Sequence, residues 1–535
     1  MTDHVRLTGS ERPRKDDAVR VSDLDPGEAI EVTVTLAGPE LPDPEPEKPL
    51  SQETLRRHYG ADPETVKQVS AALEALGLRV EEHSELTRSL RVSGTVAQIE
   101  TAFRAHLGTY RTSDGKLFRG REGELQVPAE LDGLVTGVFG LDQRRVAFRK
   151  TRPGAAAAAA SLTSPLSPSQ VAEHYQFPAG TGAGQTVAIA EFGGGYFADD
   201  LAAFCAKQGT PMPEVTTASV NGAPILTLEQ IRQLPQQQQT EQLEDSIEVG
   251  LDVQIVAGLA PEAALVVYFS TFDQKGWVDL LDRVIDGKPA TPMALSISWG
   301  LAEDDPDWSK AALAAINERL QALASLGITV CAAAGDDGAG DQETDGRAHV
   351  DFPASSPYLL AVGGTMLDGT REVVWWESPG QRTSSGGGST GGGVSVELAR
   401  PSWQDVKIAS LNPGSIEGRV VPDVAAIAGP PLYDLIFTGQ ESANGGTSAA
   451  TPVWAALLAR LASAGWKPGF LTPRLYQPGP GPSGQPLGAF ACVDVTSGDN
   501  TSPAPGRGYR AGPGFDAVSG WGAPNGTALL AALTG

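Results

Sequence analysis

The chain has 535 residues, too many for one hydrophobic core, and its 41% hydrophobic and 20% charged composition is that of an ordinary globular protein. A formal net charge of −25 argues against nucleic acid as a partner, because a phosphate backbone is repelled, and no run of 18 or more apolar residues offers a membrane span. Three scattered cysteines, Cys205, Cys331 and Cys492, form neither a metal-ligand spacing nor a disulfide framework, and Cys331 in GITVCAAAG reads as a buried, inert thiol.

The N-terminus, MTDHVRLTGSERPRKDD, lacks the apolar core of a standard signal peptide, and residues 1–29 are polar and expected to be loose. From Glu31 the pattern gives a strand (EVTVTLAG), a helix over Pro63–Leu76, a strand pair around LRVEE and SLRVSG, and a helix over Val96–His106. This βαββαβ-like order predicts a small ferredoxin-like α+β domain in residues 1–150, with its folded part ending near Asp142. Residues 151–168, TRPGAAAAAASLTSPLSP, have neither period nor charge and read as a linker, where a protease cuts most easily.

After the linker the texture changes. TVAIAEFGGG, AALVVYFS, MALSISWG and GITVCAAAG are short apolar runs ending near glycines, and helical stretches such as Ser309–Leu326 lie between them. Residues 169–535 are therefore expected to form an α/β domain with a mostly parallel sheet flanked by helices, its ligand site beyond the C-terminal ends of the strands. The polar run QLPQQQQTEQ (233–242) reads as a surface loop, and glycine-rich 383–395 either lines the cleft or forms a flexible loop. Charge is uneven: 22 basic against 26 acidic residues through position 160, and 18 against 39 beyond it. The acidic second part fits either plain solubility or adaptation to acid or salt.

GGTSAATP (445–452) places Ser448 after two glycines and before an apolar helix, where free N–H groups suit a nucleophile and a developing negative charge. A helix N-cap is the simpler reading of the same residues. Histidine is scarce as a base: only His174 and His349 follow the linker, neither in a glycine-rich catalytic setting. Carboxylates are available instead. Glu248 and Asp252 are four apart in EDSIEVGLDVQIVAGLAP, on one face of an apolar helix, where burial and mutual repulsion raise a pKa and let the pair act as base and then acid. Asp336, in AAAGDDGAGD, directly follows a buried strand and can donate to an oxyanion when protonated, although Asp-Asp-Gly is also ordinary turn chemistry.

EVGLD (248–252), SISWG (296–300), AAAGDDG (332–338), STGGGVS (389–395), PDVA (422–425) and GGTSAATP, in this order, resemble the sedolisin or serine-carboxyl peptidase family, most nearly its bacterial kumamolisin-like pro-enzymes. The regions around SGTVAQIETAF and FRGREGELQVP resemble the family's propeptide. The resemblance implies a subtilisin-like fold and a triad in which Ser448 attacks the scissile carbonyl, Glu248 moves the proton, and Asp252 orients Glu248. It implies that protonated Asp336 joins the Ser448 N–H in the oxyanion hole, and that Glu191 and Trp299 extend the network behind Glu248. Asp337 stands where relatives commonly have serine and adds a charge beside Asp336. In VDVTSGDN and YRAGPGFDAVSGWGAP, Asp494 and Asp516 are hard oxygen donors among turn-forming glycines. The resemblance makes Asp494, Val495, Gly512, Gly514 and Asp516 a site for one structural calcium ion.

The expected activity is that of a secreted, acid-acting, monomeric endopeptidase made as a zymogen. It would act on proteins or peptides, with residues 1–150 as its intramolecular inhibitor and the activation cut at 151–165. A catalytically silent, calcium-stabilised binding protein on the same fold is the alternative. A glycosidase would use paired carboxylates too, but it leaves GGTSAATP without a role.

Overall fold

Alternation in AIEVTVTL sets the centre of the first unit: Ile30, Val32, Val34 and Leu36 of strand β1 (Ala29–Leu36) are all buried. The chain continues through α1 (Pro63–Ala75), β2 (Arg79–Ser84), β3 (Ser89–Thr95), α2 (Val96–Phe103) and β4 (Val135–Phe139). The four strands pair antiparallel in the order β2-β3-β1-β4, as the βαββαβ pattern predicts. Asp62 caps α1, and Thr95 with Gln98 forms a capping box on α2. Val69, Leu73, Ile99 and Phe103 of the two helices share one core with the sheet. The computed structural model describes residues 3–151, 164–384, 386–479 and 484–535.

The expectation of a loose N-terminus is corrected. Strand His4–Arg6 pairs with Gln126–Pro128, and Ala18–Asp23 pairs with Gly108–Thr112. Between them buried Arg12 bonds Asp142 and the Asp307 carbonyl, so a polar segment is fixed by charge where it lacks apolar residues.

Strand β5 (Phe148–Arg149) leads away from this unit. The second unit is built on β6 (Thr186–Glu191), β7 (Val215–Ser219), α3 (Gln236–Leu259), β8 (Ala264–Phe269), β9 (Ala294–Ile297), β10 (Trp299–Ala302), α4 (Lys310–Ser325), β11 (Thr329–Ala333), β12 (Leu360–Asp368), β13 (Val424–Ile427) and α5 (Thr447–Ser463). Seven strands pair in parallel, in the order β7-β8-β6-β9-β11-β12-β13. Both faces are covered, which is why these strands read as continuous apolar runs. Val187 and Ile189 of β6 pack with α3 and α5, whereas Ala188 and Ala190 pack with α4 and helix Gln274–Ile285. All three cysteines are unpaired, and Cys331 is fully buried.

Two further expectations change. The run at 233–242 is not a loop beyond Pro235, because Gln236 opens α3. Gln and Glu are good helix formers, and their solvated turns extend a helix whose later turns are buried. Most of the expected linker, residues 152–163, lies outside the described residues. Its last part is already docked: Leu166 donates to the Leu432 carbonyl, and Ser167 caps helix Pro168–His174.

Candidate active site

The sheet brings the expected residues to one place. Glu191 is the last residue of β6, Ser298 and Trp299 follow β9, and Asp336 lies just beyond β11, so all three strands point their C-terminal ends at the same spot. Helices α3 and α5 close over it with Glu248, Asp252 and Ser448, and all of these side chains are fully buried.

Ser448 owes its position to two glycines. Gly446 takes φ +96° just before α5, and a Cβ on Gly445 would lie 2.2 Å from the Ala428 carbonyl oxygen. The chain thus turns sharply into the helix and leaves the Ser448 N–H free of helical bonding. That N–H donates to the Lys150 carbonyl at 3.1 Å, and the Ser448 hydroxyl lies 3.4 Å from the Ser298 carbonyl.

Four carboxylates surround this point, and none of them forms an ion pair among the described residues. Glu248 Oε2 accepts the Thr151 hydroxyl, and burial pushes its pKa up to about 7 against the hydrogen bonds from Ser448 and Thr151. Asp252 Oδ1 accepts Ser298 Oγ at 3.0 Å, and burial plus the Glu248 charge lifts its pKa well above the usual range. Glu191 Oε2 accepts Trp299 Nε1 at 3.0 Å, and burial with the charges of Asp252 and Glu248 lifts it likewise. Asp336 Oδ1 accepts both the Thr447 N–H at 2.8 Å and its hydroxyl at 2.7 Å; burial raises this pKa to about 7. On each of the four, the second oxygen is buried with no hydrogen-bond partner among the described residues. Burial with that many acceptors unpaired among the described residues favours protons on the carboxyls, which is the state a general acid or an oxyanion donor needs.

Beside this group the next residue behaves differently. Asp337 is paired with Arg382, whose Nε lies 3.0 Å from Oδ2 and whose backbone N–H bonds Oδ1 at 2.8 Å. Burial works to raise the Asp337 pKa, but the Arg382 charge and hydrogen bonds outweigh it and leave it below the ordinary value. The charge expected beside Asp336 is therefore neutralised locally. Arg382 also donates to the carbonyls of Arg149 at 2.8 Å and Thr151 at 3.2 Å. The described part of the glycine-rich segment lines the site: the Ser389 N–H bonds the Asp336 carbonyl, and the Gly391 N–H bonds that of Gly335.

The segment after the first unit runs through this cleft. β5 pairs antiparallel with β10, Phe148 opposite Gly300 and Arg149 opposite Trp299, and the Lys150 N–H continues the ladder to the Ser298 carbonyl at 3.0 Å. The buried Lys150 ammonium pairs with Asp351 and lies 3.7 Å from Asp341. Burial disfavours its charge, yet those two carboxylates raise its pKa. Thr151 thus sits inside the cleft, at the start of the segment expected to be cut. Lys150, Ser298, Asp341, Asp351 and Arg382 were not singled out from sequence; only Ser298 carried a signal, inside SISWG. The two late histidines are elsewhere, His174 beside Glu372 and His349 between Asp304 and Asp345.

Near the C-terminus, Asp494 Oδ2 accepts the Gly514 N–H at 2.8 Å, and Asp516 Oδ2 accepts the Gly512 N–H at 3.0 Å. Ser519 Oγ lies 3.4 Å from the Val495 carbonyl and 3.0 Å from Asp516 Oδ1. Gly512 and Gly514 thus meet the two carboxylates through their N–H groups. Among the described residues no group of three or more His, Cys, Asp or Glu could hold a metal, and neither aspartate has a basic side-chain partner. The donors available are two uncompensated carboxylates around one loop and nearby carbonyls, a set that fits a hard cation.

A family model described as the pro-kumamolisin activation domain matches residues 16–144, and the subtilase family model matches residues 238–476. Kumamolisin of Bacillus sp. (strain MN-32) is 38% identical over 501 residues, covering 90% of this chain and 86% of that protein. Sedolisin of Pseudomonas sp. (strain 101) is 31% identical over 457 residues, covering 81% and 73%. Human tripeptidyl-peptidase 1 is 34% identical over 318 residues, covering 54% and 52%. Among solved structures, Pseudomonas sedolisin in complex with pseudo-iodotyrostatin aligns with a TM-score of 0.56 at 27% identity, covering 69% of this chain and 97% of that one.

Proposed function

The chain belongs to the sedolisin family of serine-carboxyl peptidases, and we propose that it is an acid-acting endopeptidase that processes its own precursor. The observation that carries this reading is the peptide carbonyl of Lys150 held on the Ser448 N–H, next in sequence to Thr447, which anchors Asp336 through Oδ1. In the proposed mechanism Ser448 Oγ attacks a carbonyl placed there, Glu248 takes the proton and returns it to the leaving amine, and Asp252 orients Glu248 from one turn away. Protonated Asp336 and the Ser448 N–H share the developing oxyanion charge. Glu191 and Trp299 hold the far side of the carboxyl cluster.

An acid preference follows from the sign of one titration. Asp336 donates only when protonated, so its contribution falls as pH rises through about 7, while Glu248, also raised to about 7, must shed its proton to act as base and sets the acid limb of the profile. Endopeptidase rather than tripeptidyl action is supported by the chain in the cleft. It continues beyond the three residues Phe148, Arg149 and Lys150, and the Val146 N–H bonds the Phe272 carbonyl. Residues 1–150 are the inhibitory propeptide in this reading, because the last of them fill the site. Their basic side chains Lys15, Lys116, Arg144, Arg145 and Arg149 meet Asp307, Glu241, Asp245 and Glu244 of the second unit, contacts that acid weakens. Asp494, Asp516 and the Val495 carbonyl would hold one structural calcium ion, which adds charge balance there and no catalytic step. Secretion suits an acid peptidase, and no helix among the described residues is long and apolar enough to cross a membrane.

The test is mass spectrometry after acidification to about pH 4, where carboxylates titrate, beside a Ser448→Ala control. Trimming of the wild type alone supports the reading. Equal trimming of both chains, or a peptidase activity that survives Ser448→Ala, removes it.

A further inference from the structure

The carbonyls at the end of the first unit leave the chain in two directions. That of Lys150 meets the Ser448 N–H, while those of Arg149 and Thr151, one residue to either side, meet Arg382. Alternate residues of an extended segment share a face, so one group can reach both. That group is a single nitrogen, Nη1, 2.8 Å from the Arg149 carbonyl and 3.2 Å from that of Thr151.

The rest of the guanidinium is engaged from behind. Nε lies 3.2 Å from Asp337 Oδ1 and Nη2 lies 2.5 Å from Oδ2, a fork-on-fork pair that fixes the plane of the group. Asp337 Oδ1 also takes the Arg382 backbone N–H at 2.8 Å, and Gln342 Nε2 donates to Oδ2 at 2.9 Å. The carrier of Arg382 is a hairpin, Trp376–Thr383 against Gly386–Ser389, whose register slips between Glu377 and Arg382. Such an irregularity re-aims a side chain. Gly387 stands opposite Arg382 with φ +94°, and a Cβ there would lie 2.6 Å from the Gln381 carbonyl oxygen, so the two strands close only over a glycine. The base of the hairpin is fixed by the Ser389 N–H on the Asp336 carbonyl and by Trp376 Nε1 on the Thr501 carbonyl at 2.7 Å.

Both contacts of Nη1 go to main-chain carbonyls, which every peptide carries, so nothing in them depends on the side chains of the segment in the cleft. One carbonyl lies on the acyl side of a bond presented to Ser448 and the other on its leaving side. An arginine that holds both straddles that bond, and it keeps only one contact once the leaving peptide departs.

We propose that Arg382 is a substrate-binding residue that clamps the main-chain carbonyls on either side of the bond presented to Ser448, and that Asp337 positions it for this. The inference rests on the peptidase reading and adds to it a device for aligning peptides whatever their sequence. The clamp is already made in the precursor, before any bond changes, so its loss should weaken substrate binding more than it slows the chemical step.

The test uses two matched peptides. One has a full residue after the cut, and the other has there an arylamide leaving group that lacks the carbonyl. The enzymes are wild type, Arg382→Lys, and Arg382→Gln combined with Asp337→Asn. Each is matured by cutting the linker with an added protease that is then inactivated, and counted by active-site titration. Lysine keeps a charge for Asp337 but lacks the fork that serves Asp337 and both carbonyls together, and the double substitution leaves no stranded charge. Each variant should lower kcat/KM on the full peptide by about tenfold or more, mostly through KM. Each should lose less on the arylamide, so the ratio between the two peptides should shrink by about fivefold. Equal losses on both peptides, or a loss carried by kcat alone, make Arg382 a support of the hairpin and overturn the clamp while sparing the peptidase reading. Turnover that survives Ser448→Ala overturns both.

Discussion

Two sides of one cleft treat buried carboxylates in opposite ways. Around the nucleophile, Glu191, Glu248, Asp252 and Asp336 have hydrogen-bond donors but no ion pair among the described residues, and every pKa rises. One residue on, Asp337 is just as buried and its pKa falls, because Arg382 lies against it. Asp142 repeats the second pattern at the junction of the two units, where the charges of Arg12 and Arg144 outweigh burial. Burial alone thus makes a proton store, and burial with a guanidinium makes a fixed negative charge. In the proposed mechanism the chemistry uses the first kind, and the second kind holds the chain around it.

The contrast can be broken from either side. The largest expected effect is at Asp336: Asp336→Ala removes an oxyanion donor and should lower kcat/KM by about 10²–10³-fold. Asp336→Asn keeps a donor at every pH, so it should lose less and show a shallower decline above about 7. A smaller effect, on stability, comes from the opposite side. Arg382→Ala strands the Asp337 charge and should cost about 3–5 kcal/mol in denaturant titration of the Ser448→Ala precursor, and Asp337→Asn in the same chain should recover part of it.

The two kinds of carboxylate also tilt stability in opposite senses with pH. Asp336 binds its proton more tightly folded than unfolded. Its contribution is full below the ordinary aspartate value of about 4 and is lost as pH rises through about 7. Asp337 contributes above its ordinary value and loses that contribution as pH falls. Between about 4 and 7 the raised group dominates, so melting temperature should decline over that window, and Asp336→Asn should flatten the decline. The smallest effect concerns Asp494 and Asp516, which have no side-chain cation among the described residues. A chelator should lower the melting temperature by about 2–8 °C, reversed by added calcium, and an unchanged curve would leave those carboxylates to the loop's N–H groups alone.

What could be read from sequence was local. Glu248 and Asp252 are four apart on one helix, Ser448 follows two glycines, and Asp336 ends an apolar strand, so each carries its signal within a few residues. Lys150, Asp341, Asp351 and Arg382 meet only because strands and loops far apart in the chain converge, and no spacing records that. The glutamine run failed for a different reason: its polarity said exposed, which residues 236–242 largely are, but exposure does not distinguish a loop from the solvated first turns of a helix. The N-terminal segment failed similarly, since Arg12 is held by charge partners more than 100 residues away.

The strand that Phe148 and Arg149 add to the cleft has a kinetic consequence. In the proposed mechanism a bond already threaded past its own nucleophile needs no encounter, so its cleavage would be first order in protein. Dilution should leave the half-time of activation unchanged, and a single molecule should mature as fast as a crowded solution. The environment then sets the timing through proton concentration alone, whereas every later substrate arrives by diffusion and is subject to competition.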